Sequence, residues 1–261
     1  MLDLSIVIPA YNEALRLPAY LEEIEAYFQE RGQQNQVEII VVDDGSQDET
    51  SSVVERFHQR NPAIKLLRHV PNRGKGYAVR VGMLNATGKL RLLADADGAT
   101  PISEVAKLEA GITQGAAIAI GSRALHDPSR VLRVRWYRKF FGRIFHLVIR
   151  CLGIRGLTDT QCGFKLFQAY VATDLFSVLQ IDGYGFDVEL LFVAQKRGYR
   201  ITEVAVNWVH QPGSKVRVVQ DGLRMIGEVW SVRRNYLQGL YAAQNVLLPA
   251  TASAEKQSSI S

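Results

Sequence analysis

The sequence predicts an α/β fold: a mostly parallel central sheet with helices on both faces. Two observations lead there. Strand-like and helix-like runs alternate up to residue 120, the order that builds a parallel sheet covered on each side. Neither an internal repeat nor a low-complexity linker interrupts the chain, so one continuous domain is expected, and 261 residues at 47% hydrophobic supply a sizeable core.

Taken in order, Leu4 to Ile8 reads as the first strand and Leu17 to Glu30 as the first helix. A strand from Val37 to Val42 follows, then a helix from Glu49 to Arg60. Ser46-Gln47-Asp48-Glu49 has the spacing of a capping box at the start of that helix. The next strand is Ile64 to Arg68, followed by a helix from Gly76 to Asn85. Lys89 to Ala94 and Ala116 to Ile120 are strands, separated by a helix from Ser103 to Gly111.

In such sheets ligands bind beyond the carboxyl ends of the strands. The unusual polar strings fall there: Pro9-Ala10-Tyr11-Asn12-Glu13 after the first strand, Asp43-Asp44-Gly45-Ser46 after the second, Asp95-Ala96-Asp97-Gly98 after the fourth. Two carboxylates one residue apart in a turn suit a hard cation such as Mg²⁺ or Mn²⁺, with substrate phosphates completing the shell. A chance turn produces the same pattern; its place on a rim shared with Asp44 favours the metal.

Asn72-Arg73-Gly74-Lys75-Gly76 lacks the spacing of a Walker A loop and the third glycine of a dinucleotide fingerprint. It reads either as a plain helix entry or as a basic turn offering backbone N–H groups and Lys75 to an anion. Between Leu132 and Leu152, Arg135, Lys139, Arg143, His146 and Arg150 recur at helical spacing opposite Trp136, Phe140, Ile144 and Leu147. Such a helix suits a bilayer interface, or a core contact with a solvated basic side. The glycine- and carboxylate-bearing strings Asp159 to Lys165 and Gly183 to Glu189 have the composition of functional loops. His210 to Lys215 is a surface turn or an anion clamp.

The net charge of +5 fits an anionic partner as well as a plain basic surface, and without aromatic-interleaved basic repeats it argues against nucleic acid. Cys151 and Cys162 show neither metal-ligand spacing nor a disulfide-rich pattern, so reduced, intracellular thiols are expected. The start of the chain lacks the features of a signal peptide, and no apolar run approaches the ~18 residues of a membrane span.

Together these strings resemble glycosyltransferase family 2, specifically its polyprenyl-phosphate sugar transferases, and most of all the dolichyl-phosphate β-glucosyltransferases. The resemblance is carried by Ile8 to Glu13, Val42 to Ser46, Asp95 to Thr100, Gly121-Ser122-Arg123, Asp159 to Phe167, Phe186 to Leu191 and Val206-Asn207-Trp208. It implies a GT-A (Rossmann-like) fold and inverting transfer of a hexose, glucose first, from a nucleotide diphosphate sugar such as a UDP-hexose to a polyprenyl or dolichyl phosphate. It further implies that Pro9, Tyr11, Glu13 and Asp44 line the nucleoside pocket, that Lys75 lies near the nucleotide, that Asp95 contacts the nucleotide or metal side, and that Asp97 binds the metal. Arg123 and Arg138 would hold the acceptor phosphate, and Lys215 either phosphate group.

An ionised acceptor phosphate needs no general base, whereas a glycan hydroxyl, the alternative acceptor, would; Asp159, Asp187 and Glu189 are the candidates. Two departures stand out: Ala99 occupies a position where related mannosyl enzymes often carry a glutamine ligand, and no membrane anchor like that of the eukaryotic glucosyl enzymes is read. A lipid acceptor then assigns the Leu132 to Leu152 helix to the interface and the enzyme to the cytoplasmic face of a membrane, as a peripheral protein. The expected division is a catalytic domain over 1–217, a C-terminal helix over 218–248 and a disordered tail over 249–261.

Overall fold

The computed structural model describes residues 2–125, 154, 156–209, 211 and 218–242, with the side chains of 218–226 outside the description. Arg138, Cys151, His210, Lys215, the Leu132 to Leu152 segment and the 249–261 tail therefore lie outside the described residues.

Seven strands form one sheet: β1 (Leu4–Ala10), β2 (Val37–Asp43), β3 (Ile64–Arg68), β4 (Leu90–Ala94), β5 (Ile118–Ser122), β6 (Phe164–Gln168) and β7 (Ile201–Ala205). Their spatial order is β3-β2-β1-β4-β6-β5-β7. All neighbours are parallel except β6, which runs antiparallel to both β4 and β5. The helices are α1 (Leu17–Glu30), α2 (Thr50–Arg60), α3 (Lys75–Asn85), α4 (Val105–Thr113), α5 (Ala169–Phe176), α6 (Phe186–Lys196) and α7 (Val218–Leu237).

β1 and β2 are buried along their whole lengths, which explains their unbroken apolar runs: a central parallel strand has no solvent face. Alternate residues serve opposite cores. Ile6, Ile8, Ile39 and Val41 pack with Leu21 and Ile24 of α1, Val54 of α2 and Leu108 of α4. Val7, Ile40 and Val42 pack with Val79 and Met83 of α3 and with a core shared by α5, α6 and Val229 and Val232 of α7. Pro9 falls past the last β1–β4 pair, Val7↔Leu93, at a strand end where a missing N–H is tolerated.

The capping box does not form. Ser46 lies outside the helix and its hydroxyl accepts from Asn12 N at 2.8 Å, while Asp48 Oδ1 accepts from Thr50 N at 3.0 Å. The loop after β2 is thus tied to the loop after β1 rather than closed on its own helix.

Candidate active site

The carboxyl ends of β1, β2 and β4 open on one rim, and the reversed strand β6 brings its amino end to the same rim, with Phe164 opposite Ala94. β4 leads directly into the Asp95-Ala96-Asp97 turn. Gly98 closes that turn at φ 62°, and a Cβ there would lie 2.9 Å from the buried Tyr20 ring, so only glycine meets both demands. Asp97 Oδ1 accepts from Ala99 N at 3.1 Å, and Asp97 Oδ2 lies 3.7 Å from Arg16 Nη1. Asp95 and Asp97 keep 37% and 27% of their side chains exposed, enough for both to reach a ligand.

Asp44, in contrast, is buried. Its carboxylate accepts from Arg73 N at 2.7 Å, Gly74 N at 2.8 Å and His69 Nε2 at 2.6 Å. Asn72 Nδ2 also donates to the Asp44 carbonyl at 2.9 Å. Asp44 therefore fixes the loop that starts α3. Lys75, the first residue of α3, donates to Asp95 Oδ1 at 2.6 Å. Burial works against its charge, but Asp95 and then Asp187 outweigh it and raise the pKa above the ordinary lysine value. The 72–76 string is thus more than a helix entry: it aims a committed cation at the two-carboxylate turn. Glu13 is paired through both carboxylate oxygens with Arg16 Nε and Nη2, at 2.7 and 2.5 Å. Pro9 is buried in β1, and Tyr11 is exposed at the strand's end.

Across the rim, Arg123 follows β5 and grips Asp159. Its Nε and Nη2 donate to the two carboxylate oxygens at 2.8 and 2.9 Å, and its backbone N adds a third bond at 2.8 Å. Burial favours the neutral acid, yet this fork holds Asp159 below the usual carboxylate range. Glu203 of β7 accepts from Thr158 N and Asp159 N at 2.9 and 2.8 Å, which fixes the segment. Trp208 lies near the same guanidinium, 5.9 Å from its centre to the ring, and Val209 N donates to the Ala99 carbonyl at 2.8 Å.

The three carboxylates suited to general-base work are all committed. Asp159 is forked by Arg123. Asp187, at the start of α6, accepts from the fully buried Lys165 at 2.5 Å. Glu189 accepts from Gln180 N and Ile181 N, both at 2.9 Å, and from Tyr241 Oη at 2.6 Å.

Gly163, Lys165 and Arg16 carry parts of the site that sequence reasoning left without a role. Gly163 is the closest constraint on Asp95: a Cβ there would sit 2.0 Å from Asp95 Oδ2. A lysine inside the apolar strand string Phe164-Lys165-Leu166-Phe167 was the available signal, because a buried cation demands a partner.

The donor set fits a hard divalent cation. Among the described residues no group of three His, Cys, Asp or Glu gathers as a self-sufficient metal cage. Two partly exposed carboxylates one residue apart are the partial oxygen shell that such ions take when phosphate oxygens and water supply the rest. Ala99 is buried and adds no ligand atom from its side chain.

Residues 5–176 match the family model described as Glycosyl transferase family 2. The Dolichyl-phosphate beta-glucosyltransferase of Mus musculus is 40% identical over 250 residues, covering 92% of this chain and 77% of that protein. The protein of the same name from Saccharomyces cerevisiae is 36% identical over 255 residues, covering 91% and 76%. Among solved structures, glucosyl-3-phosphoglycerate synthase from Mycobacterium tuberculosis in complex with UDP superposes with a TM-score of 0.66 at 18% identity, covering 88% of this chain and 79% of that one. The same enzyme with Mn²⁺ and UDP-glucose gives a TM-score of 0.65 at 19% identity, covering 88% and 78%. These structures share the GT-A architecture of the seven-stranded sheet. The expectation drawn from the sequence strings holds: this chain belongs to glycosyltransferase family 2.

Proposed function

We propose that this chain transfers glucose, with inversion, from UDP-glucose to a polyprenyl phosphate of the dolichyl type. One observation carries the reading. The rim pairs an open two-carboxylate turn with cations, while Asp159, Asp187 and Glu189, the carboxylates a hydroxyl acceptor would use as a base, are already committed. A phosphate acceptor needs none of them. The relatives named as dolichyl-phosphate glucosyltransferases point to the same acceptor.

On this reading Pro9, Tyr11, Glu13 and Asp44 shape the nucleoside side of the rim, Asp44 by ordering the loop that carries Lys75. Asp95 and Asp97 would hold Mg²⁺ or Mn²⁺, which when bound would supply Lewis-acid neutralisation of the leaving diphosphate. Lys75 adds a positive charge beside that diphosphate. Arg123 and Arg138 hold the acceptor phosphate, arginine being suited to paired bonds with phosphate oxygens, and Lys215 contacts the donor diphosphate or the acceptor phosphate. One acceptor oxygen forms a bond to the anomeric carbon from the face opposite UDP. The anomeric carbon–oxygen bond to the diphosphate breaks, and UDP leaves with its electron pair. The acceptor's second pKa of about 6 leaves it largely ionised at neutral pH, so no proton has to be removed.

The same reading divides the chain into a catalytic domain over 1–217, a C-terminal segment over 218–248, of which α7 takes Val218–Leu237 and ends before the turn at 238–242, and a tail over 249–261. Among the described residues no helix is long and apolar enough to cross a membrane, and the reading brings the enzyme to the cytoplasmic face of a membrane as a peripheral protein, through the Leu132 to Leu152 segment.

The test is a transfer assay with a panel of nucleotide sugars, short polyprenyl phosphates and glycan acceptors, run with Mg²⁺, Mn²⁺ or a chelator. Transfer from UDP-glucose to polyprenyl phosphate, abolished by chelation, is expected. Transfer to glycan hydroxyls alone, with every donor, overturns the acceptor assignment.

A further inference from the structure

Among the described residues, one face of α7 is without cover. Val229, Val232 and Asn235 are buried against the body of the protein. Trp230, Arg233, Arg234 and Leu237 recur at the three- and four-residue spacing that puts side chains on one helical face. Trp230 is 68% and Leu237 78% exposed, and both arginines are exposed beside them. At 100° per residue, Trp230 and Leu237 lie at the centre of this face, with one guanidinium on each flank. Leu240, just past the helix, is also exposed. From Trp230 to Tyr241 the sequence contains no Asp or Glu.

The stripe is tied to the active-site rim. Glu228, two residues before Trp230, accepts from Gly185 N at 2.7 Å and so holds the 183–185 loop. The preceding residue of that loop, Asp182, accepts from Tyr77 N at 3.2 Å and from Arg80 Nη2 at 2.6 Å, both on α3. α3 begins at Lys75. One loop therefore separates the exposed stripe from the cation at the two-carboxylate turn.

We propose that this face of α7 docks on an anionic lipid bilayer, with Trp230 and Leu237 entering the headgroup boundary and Arg233 and Arg234 meeting phosphate headgroups. The inference deepens the proposed lipid-phosphate acceptor and rests on that reading for its purpose, though lipid binding is measured without turnover. The chemistry selects this partner. An aromatic and a leucine flanked by cations match the layered apolar and anionic character of a bilayer surface. A second copy of the chain matches poorly, because a two-fold contact would gather four guanidinium groups with no carboxylate in the stripe to balance them.

The test co-sediments the full chain with phosphatidylcholine vesicles, with and without phosphatidylserine. Both W230S/L237S and R233Q/R234Q are expected to bind the anionic vesicles more weakly, the arginine pair by about thirtyfold. Added salt should reproduce the arginine effect, and vesicles without phosphatidylserine should not distinguish R233Q/R234Q from wild type. Both variants should transfer normally to a short, water-soluble polyprenyl phosphate. Absence of such transfer by the wild type would count against the proposed acceptor while leaving the partition measurement intact. Unchanged partitioning of both variants overturns the docking surface. So does a dimer, seen by sedimentation equilibrium, that W230S/L237S dissociates, because a second copy would then occupy the stripe.

Discussion

Lys165 Nζ, with no solvent exposure, donates to Asp187 Oδ1 at 2.5 Å and to the Cys162 carbonyl at the same distance. This pair joins β6 to the start of α6 beneath the site, where it faces Lys75 and Asp95. Burial lifts the Asp187 pKa above the ordinary aspartate value, against the pull of Lys165 and Lys75. Removing either partner strands the other in a dry interior. Lys165→Met or Asp187→Leu should each destabilise the fold by about 3–5 kcal/mol, and Lys165→Met/Asp187→Leu should recover much of that loss. Urea unfolding of the two singles and the double measures this; simple additivity would mean the two side chains do not act as a pair.

Gly163→Ala places a methyl group where Asp95 Oδ2 now sits, 2.0 Å from the added carbon. The carboxylate has to turn away from the rim and from Lys75. Transfer should fall at least about tenfold through weakened metal use, since supports of metal ligands typically contribute 10- to 100-fold. The metal concentration for half-maximal rate is the readout. An unchanged value would show that Asp95 does not need its present position.

Asp97→Asn keeps the shape of the turn and the Ala99 N–H acceptor while removing one negative charge. Turnover should drop by at least about 100-fold, with the thermal midpoint little changed because the side chain is partly exposed. Near-normal turnover at saturating Mn²⁺ would remove Asp97 from the metal site.

Far from the rim, the buried Glu38 carboxylate accepts from Lys65, Ser5 and Thr87. Burial opposes its charge, but these donors hold the pKa down to about 2, against an ordinary 4.5. A pKa depressed by folding contributes stability that is fully present above the ordinary value and is lost as pH falls through the folded one. Acid unfolding should therefore steepen between about 4.5 and about 2. Glu38→Gln should be less stable at neutral pH and show a shallower decline across that window. An identical decline in the variant would assign the acid sensitivity to other carboxylates.

The side of the rim built by β1, β2 and β4 was legible because its physics is local. The β3 strand, Ile64–Arg68, and the α1 helix, Leu17–Glu30, sit where apolar pattern and length place them, and Asp95 and Asp97 follow a strand in the chain as they do in space. The other side was not, because its contacts are distant in sequence. Nothing local to Asp159 points to Arg123, or local to Gly163 to Asp95, until β6 reverses and brings them together. Asp44 illustrates the limit from another direction. Its place on the rim was readable, but its partners, the backbone N–H groups of Arg73 and Gly74, lie beyond a whole strand.

The reversal of β6 also bears on how such enzymes diversify. The chain leaving Ser122 and the chain arriving at Phe164 both open on the ligand rim, because one strand points toward it and its neighbour away. Anything can be spliced between them without rethreading the sheet or touching β1, β2 and β4. The segment between them can thus vary in length while the order and direction of the seven strands stay as they are, and one antiparallel strand is the topological licence for that variation.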